Sequence, residues 1–335
     1  MNYIGSKRSL IDFIQETILN EVDINEREDL VFADLFAGTG IVGATFRERN
    51  FKVIANDIQY YSYVLNKHLL QSDSEIEEDL LNYLNSLEGV EGFIYNNYCL
   101  GSGSGRNYFT DYNGKKCDAI RMELNNLKEN KEINDKEYFN LLASLIKSID
   151  KYANTASVYG AFLKKIKKSA AREFKLESIP IYKGKYSGEV YNKDINELIL
   201  EVQGDVLYLD PPYNNRQYAS NYHILETIAR YDDPKISGKT GLRNYEDQKS
   251  DFCYKNKVID AFKTLISNAK FNHIFLSYNN EGIMDLDVIK DIMSEHGEYN
   301  IFSKKYKRYK SDKNRNNKAE YTIEYLHYLK KGGNH

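Results

Sequence analysis

Apolar positions cluster in short runs at Leu30-Val31-Phe32-Ala33, Phe51-Lys52-Val53-Ile54-Ala55, Val206-Leu207-Tyr208-Leu209 and His273-Ile274-Phe275-Leu276-Ser277-Tyr278. Near-continuous apolar runs of this length fit strands buried on both faces, and helical patterns lie between several of them. Strands alternating with helices predict an α/β fold, a Rossmann-like and mostly parallel sheet with helices on both faces. Near the end, Tyr299-Asn300-Ile301-Phe302-Ser303 and Tyr321-Thr322-Ile323-Glu324-Tyr325-Leu326-His327-Tyr328 flank a basic, asparagine-rich segment. Their alternating character predicts an antiparallel C-terminal hairpin at the sheet edge.

Residues 93–187 break this rhythm. They open on the flexible Gly101-Ser102-Gly103-Ser104-Gly105, continue with helical patterns around Ala119–Leu127 and Lys136–Tyr152, and end in a basic stretch. The expectation is a catalytic domain of 1–92 and 188–335 interrupted by an inserted, mainly helical module at 93–187. A second irregular block, Asn214–Lys257, follows the third apolar run.

At 335 residues, with 41% apolar and 28% charged content, the chain reads as an ordinary globular protein. No apolar stretch approaches the roughly 20 residues of a membrane span, and the first residues lack the apolar core of a signal peptide, so a cytoplasmic location is expected. Cys99, Cys117 and Cys253 lie far apart, which argues against a disulfide framework or a zinc site. The net charge of −3 is unevenly spread. Residues 72–91 hold seven acids and no Lys or Arg, 151–188 hold nine basic residues against Glu173 and Glu177, and 304–318 hold eight against Asp312. Such basic stretches can serve a polyanionic partner even on a slightly acidic protein.

The chemistry concentrates at Asp210-Pro211-Pro212-Tyr213, directly after the third apolar run. With only four prolines in the chain, an adjacent pair there is improbable by composition, and a strand that stops at an acid is where open α/β sheets place their sites. After the first strand, Asp34-Leu35-Phe36-Ala37-Gly38-Thr39-Gly40 leads into a helical run, so its glycines permit a tight turn and close approach of a ligand. Asp57 ends the next strand, where a carboxylate can accept hydrogen bonds from ribose hydroxyls. Together these imply a nucleoside-containing cofactor.

These motifs, with the N-terminal Asn2-Tyr3-Ile4-Gly5-Ser6-Lys7, occur in an order that resembles the S-adenosylmethionine-dependent, adenine-specific DNA methyltransferases of the Dam type. The resemblance covers nearly the whole chain, least the middle module and the block after Tyr213. It implies a methyltransferase sheet and S-adenosylmethionine as cofactor. By the resemblance Tyr3 and Lys7 contact cofactor, Lys7 near its carboxylate; Asp34, Phe36, Gly38 and Gly40 line its methionine side; Asp57, with Ile58 beside it, binds the ribose. Asp194 and Ile195 hold the cofactor's adenine, although Ile195 stands where the family usually has an aromatic. Asp210 borders both cofactor and target base.

The residue types suit this reaction independently. The 6-amino group of adenine is a poor nucleophile because its lone pair is delocalised into the ring. A carboxylate (Asp210) and a carbonyl (Pro211), each accepting one amine hydrogen, favour a pyramidal nitrogen and localise the lone pair. Pro211 and Pro212 fix φ and hold the acceptors rigidly, while Tyr213 can stack on a base flipped from the duplex. In-line positioning of nucleophile and methyl can supply roughly 7–11 kcal/mol, and no metal need be invoked.

Duplex DNA is thus the expected partner, with a cognate restriction endonuclease acting separately on the same site. The middle module is the candidate for sequence recognition. Lys164, Lys165, Lys167, Lys168 and Arg172 are candidates for phosphate contact, Lys307 and Arg308 for a second backbone clamp, and Arg216 and Tyr222 for gripping the flipped base or its strand. His223 is expected to be structural or DNA-contacting rather than catalytic. Competing readings are methylation of RNA adenine or of a protein glutamine amide, for which Asn is commoner at the position of Asp210, and a non-catalytic DNA-binding module.

Overall fold

A computed structural model describes residues 7–23, 29–307 and 321–332. Among them the strands are β1 (Val31–Asp34), β2 (Lys52–Asn56), β3 (Glu189–Tyr191), β4 (Gln203–Leu209), β5 (Ile236–Ser237), β6 (Leu242–Arg243), β7 (Lys270–Asn279), β8 (Gly297–Lys307) and β9 (Tyr321–Lys331). The described residues divide into two compact units.

One unit takes the described parts of Ser6–Ile58, Lys183–Gln217 and Gln248–His335. It contains a seven-stranded sheet in the order β3-β2-β1-β4-β7-β9-β8. The first five are mutually parallel, and β9 joins β7 and β8 antiparallel. The expected α/β sheet with its antiparallel C-terminal hairpin is therefore present.

Side chains alternate between the two faces, and both faces are apolar, which is why these strands read as continuous runs. On one face Phe32 stacks on Phe46 at 3.9 Å and Tyr208 lies behind it at 6.4 Å; Phe46 belongs to helix Ile41–Glu48. On the other, Ala33, Leu207, Leu209, Ile274 and Leu276 pack under helices Ile195–Glu201, Val258–Asn268 and Leu286–Ser294.

The second unit takes Gln59–Tyr182 and Tyr218–Asp247, so it holds 93–182 of the expected module, adds 59–92 and 218–247, and leaves 183–187 to the unit with the seven-stranded sheet. It is mainly helical, with β5 and β6 as a two-stranded ribbon. Helix Tyr60–Gln71 belongs here because its apolar face meets helix Asp135–Lys151, with Tyr63 edge-on to Phe139 at 5.7 Å. The buried Glu226 caps that helix by accepting from the backbone N–H groups of Tyr60 and Tyr61. Thr110 and the Asn134–Glu137 capping box start the two long helices, Asp111–Glu129 and Asp135–Lys151.

The basic stretch after Tyr152 has no regular structure, and buried amides hold it. Asn154 donates to the carbonyls of Asn107 and Leu163, both at 2.9 Å, and accepts from the N–H of Lys167 at 3.0 Å. Asn113 does the same for Ala170, Arg172 and Phe174. Cys99, Cys117 and Cys253 are buried free thiols, and no helix among the described residues is long and apolar enough to cross a membrane.

Asn154→Ala removes the side-chain bonds to the Asn107 carbonyl and the Lys167 N–H, and one of the two that reach the Leu163 carbonyl. It should lower unfolding free energy by about 2–4 kcal/mol and speed tryptic cleavage between Lys164 and Lys168, checked by urea denaturation and mass spectrometry of a timed digest.

Candidate functional site

The carboxyl ends of β1, β2 and β4 carry the predicted motifs. In the parallel register Asp34 lies opposite Tyr208, so Asp210 emerges just past the same edge. The turn after β1 needs its glycines: Gly38 and Gly40 have φ of 51° and 78°, and Gly40 starts helix Ile41–Glu48. The carboxylate of Asp57 accepts from the N–H of Gly38 at 2.8 Å, which ties the end of β2 to this turn. Asn56, one residue earlier, binds the carbonyls of Leu35 and Lys193 and the N–H of Lys193. Its buried amide thereby links the turn to the segment that leads into Asp194.

Asp194 is the N-cap of helix Ile195–Glu201, accepting from the N–H of Asn196 at 2.7 Å. Ile195 is buried among the core residues beside Leu198 and Ile199. Ile58 is half-buried, its carbonyl accepting from Gln248, and Phe36 packs edge-on to Phe252 at 5.1 Å.

Asp34 is buried, and its Oδ1 has no hydrogen-bond partner among the described residues. Burial, with the Asp210 and Asp57 carboxylates nearby, pushes its proton affinity well above the ordinary carboxylate range. A buried carboxylate with an unused acceptor beside two further acids suits a cationic group. S-adenosylmethionine carries an ammonium and a sulfonium, so this buried acceptor set fits that cofactor.

Asp210 makes the central contact. Its Oδ1 lies 2.9 Å from Nζ of Lys7, and the same ammonium lies 2.7 Å from Oε1 of Glu324 on β9. Glu324 also accepts from the Ser277 hydroxyl at 2.6 Å. Burial pulls the proton affinity of Lys7 down, but the Asp210 and Glu324 carboxylates outweigh it and raise it well above the usual lysine range. Asp210 is pushed up to about 6, first by burial and further by Glu324, against the attraction of Lys7. The Asp210 side chain is nevertheless 18% exposed, and its Oδ2 has no partner among the described residues.

The turn beyond Asp210 is fixed from β7. The Tyr213 carbonyl accepts from the N–H of Ile283 at 3.1 Å, and the Tyr278 hydroxyl accepts from the N–H groups of Ile283 and Met284. Pro211 is buried and the Tyr213 ring half-buried. Farther on, the Gln217 amide pairs with the Ser250 backbone in both directions, and the Arg216 carbonyl accepts from the Cys253 thiol. The Arg216 side chain is exposed.

Sequence reasoning missed Glu324 and Ser277. The available signal was an acid at the centre of the apolar β9 pattern, a position that a strand tolerates only when the charge has a buried partner.

In the helical unit, Lys164, Lys165, Lys168 and Arg172 are exposed as expected of phosphate-contacting residues. Two expectations there are corrected. Lys167 is half-buried and spends its ammonium on the Thr155 carbonyl at 2.8 Å. Tyr222 is 0% exposed, its ring 5.8 Å from that of Tyr61, so it packs the core and cannot grip a strand. His223 is equally buried, hydrogen-bonded to the Tyr159 carbonyl, and burial lowers it to about 4; it is a neutral structural residue. Tyr3 and Arg308 lie outside the described residues, as does the side chain of Lys307. No cluster of metal-ligating side chains occurs among the described residues.

Comparison with known proteins gives this geometry its family. The model of the D12 class N6 adenine-specific DNA methyltransferases matches residues 3–292. The chain is 50% identical to the type II methyltransferase M.NlaIII of Neisseria lactamica, over 99% of both chains. It is 42% identical to M.FokI of Planomicrobium okeanokoites, over 99% of this chain and 53% of that one, so it spans about half of M.FokI. M.CviAII of Paramecium bursaria Chlorella virus 1 is 34% identical over 93% of both. The chain therefore belongs to the D12 class of N6 adenine-specific DNA methyltransferases, and transfers a methyl group from S-adenosylmethionine to the exocyclic 6-amino group of adenine within specific DNA sequences.

Proposed function

We propose that Asp210 is the side-chain acceptor in this transfer, that the target adenine is flipped out of the duplex to reach it, and that the chain is the modification partner of a restriction endonuclease. The observation that carries the catalytic reading is the asymmetry of Asp210: Oδ1 is held by Lys7 at 2.9 Å, while the side chain as a whole stays 18% exposed. An unengaged carboxylate oxygen at the end of β4 can accept one hydrogen of the target amine, and the Pro211 carbonyl can accept the second. Localising the nitrogen lone pair in this way prepares it for an incoming methyl, and Oδ2 of Asp210 can take the proton that the methylated nitrogen sheds.

S-adenosylmethionine supplies an electrophilic methyl on a positively charged sulfur. For it we assign Asp34 to the cationic methionine end, Gly38 and Gly40 to the close backbone approach, Asp57 and Ile58 to the ribose side, and Asp194 with Ile195 to the adenine side. Phe36 gives the pocket an apolar wall. Tyr213, half-buried with its carbonyl pinned, supports a stacking role against the flipped base.

Target recognition is assigned to the helical unit. Lys164, Lys165, Lys168 and Arg172 there make sequence-blind phosphate contacts, on a stretch whose backbone is held by buried amides. Arg216 is a further DNA contact. The names of the relatives, type II methyltransferases of Neisseria and Planomicrobium among them, support a restriction-modification role. A DNA substrate supports a cytoplasmic location.

Asp210→Ala should keep cofactor affinity, measured by calorimetry, while the rate of tritium transfer to duplex DNA falls by about 10³-fold, of the order seen when one preorganised polar group at a reacting centre is lost. Because Asp210 must be ionised to accept, kcat/KM should decline below about pH 6, tenfold per further pH unit; a flat profile down to pH 5 contradicts the assignment. Replacing Lys164, Lys165 and Lys168 together by Ala should weaken DNA binding and reduce the slope of log affinity against log salt by about 2–3, with sequence preference unchanged.

A further inference from the structure

Glu324 lies far from every sequence motif, yet it reaches the reacting carboxylate through one intermediary. Register explains how. Tyr208 on β4 pairs with Phe275 on β7, Ser277 pairs with Leu326 on β9, and steps of two residues along each strand keep to one face. Tyr208, Ser277 and Glu324 therefore share the face on which Asp34 also lies. The Glu324 side chain is 2% exposed, and it is held by the Lys7 ammonium at 2.7 Å and the Ser277 hydroxyl at 2.6 Å.

A buried acid at this depth needs a reason, because a charge removed from water is destabilising unless it is matched. Lys7 matches it, but Lys7 also serves Asp210, so one ammonium faces two carboxylates. With Asp210 alone, the ammonium would be free to pair with both of its oxygens and withdraw them from the substrate. A second carboxylate, 2.7 Å from Nζ, competes for the ammonium that meets Oδ1 of Asp210 at 2.9 Å.

We propose that Glu324 is a positioning residue for methyl transfer: from β9 it holds the Lys7 ammonium against Oδ1 of Asp210 and shares that charge, leaving the other oxygen of Asp210 unengaged and basic enough to accept from the adenine amine. The proposal rests on the reading of Asp210 as the acceptor. The titratable groups that face Asp210 are Lys7 from the N-terminal turn, Asp34 from β1, Tyr208 from β4, Tyr213 from the turn beyond it, Tyr306 from β8 and Glu324 from β9. The hydroxyls of Tyr208, Tyr213 and Tyr306 are all displaced upward, burial being the largest cause, so they stay neutral at working pH. The charges that move Asp210 are those of Lys7 and Glu324.

The test is the pH profile of single-turnover methyl transfer at saturating DNA and S-adenosylmethionine for the wild type, Glu324→Gln, Glu324→Asp and Asp210→Ala. Glu324→Gln keeps an acceptor for Ser277 and Lys7 but removes the charge, so Lys7 becomes the counter-ion of Asp210 alone. Its acid limb should move down by roughly one pH unit, and its plateau should fall about threefold to tenfold. Glu324→Asp keeps the charge and withdraws it by one methylene; its acid limb should stay near that of the wild type while the plateau falls. Cofactor affinity and thermal melting of each variant identify the folded ones, and either variant alone can decide the matter. An acid limb and plateau in Glu324→Gln that superimpose on the wild type overturn the proposal, as does a wild-type plateau in Glu324→Asp. Substantial activity in Asp210→Ala would instead overturn the acceptor role on which the proposal stands.

Discussion

At the carboxyl edge of the sheet one ammonium is shared by two carboxylates, and the arrangement of the unit that holds the sheet follows from the need to bring these three groups together away from water. Lys7 comes from the first described turn, Asp210 from the end of β4 and Glu324 from β9, a spread of 317 residues from first to last. None of the three could be buried alone. The antiparallel hairpin of β8 and β9 is therefore more than an edge closure, since it carries the third charge to the site.

What positions these charges is register on a rigid support. The stacked rings of Phe32, Phe46 and Tyr208 fill one face of the central strands directly below the acids, and close packing of this kind leaves strand ends little freedom to shift. A one-residue slip of β4 against β1 would turn Tyr208 to the opposite face and take Asp210 away from Lys7. The same alternation that buries apolar rings along the strands thus delivers Asp34 and Glu324 to one side at their ends. The turn of Gly38 and Gly40 and the clamp of Asp57 on Gly38 complete the edge without any further regular element.

Much of this was legible in the chain because the signals are local. Central strands announce themselves as apolar runs, glycines at a strand-to-helix turn announce positive φ, and an acid followed by two prolines announces a rigid stop. The hidden parts depend on pairing at long range. The three residues of β3 are too few to pattern, and Glu324 acquires meaning only once β9 is laid beside β7. Helix Tyr60–Gln71 joins the helical unit through a cap from Glu226, 165 residues away from Tyr61, which no window of sequence reveals. The expectation failed at Tyr222, placed near the catalytic turn by sequence but packed in the helical core, and at Lys167, placed in a basic stretch but bonded to the Thr155 carbonyl. In that unit part of the amide richness is structural, with Asn113 and Asn154 hydrogen-bonded to the backbone of the irregular segments.

The position of Asp210 on the acidity scale can be understood as a compromise. A more basic carboxylate accepts a hydrogen bond from a weakly acidic amine more strongly and is a better destination for the departing proton, but too basic a group is protonated at working pH and accepts nothing. Lying at about 6, Asp210 is mostly ionised at pH 7 while being more basic than an ordinary aspartate. Burial alone would carry it higher and idle it, and an exclusive Lys7 counter-ion would carry it lower and weaken it. Sharing Lys7 with Glu324 places the group between these limits, which gives a physical reason for a second buried acid where the transfer itself requires only one.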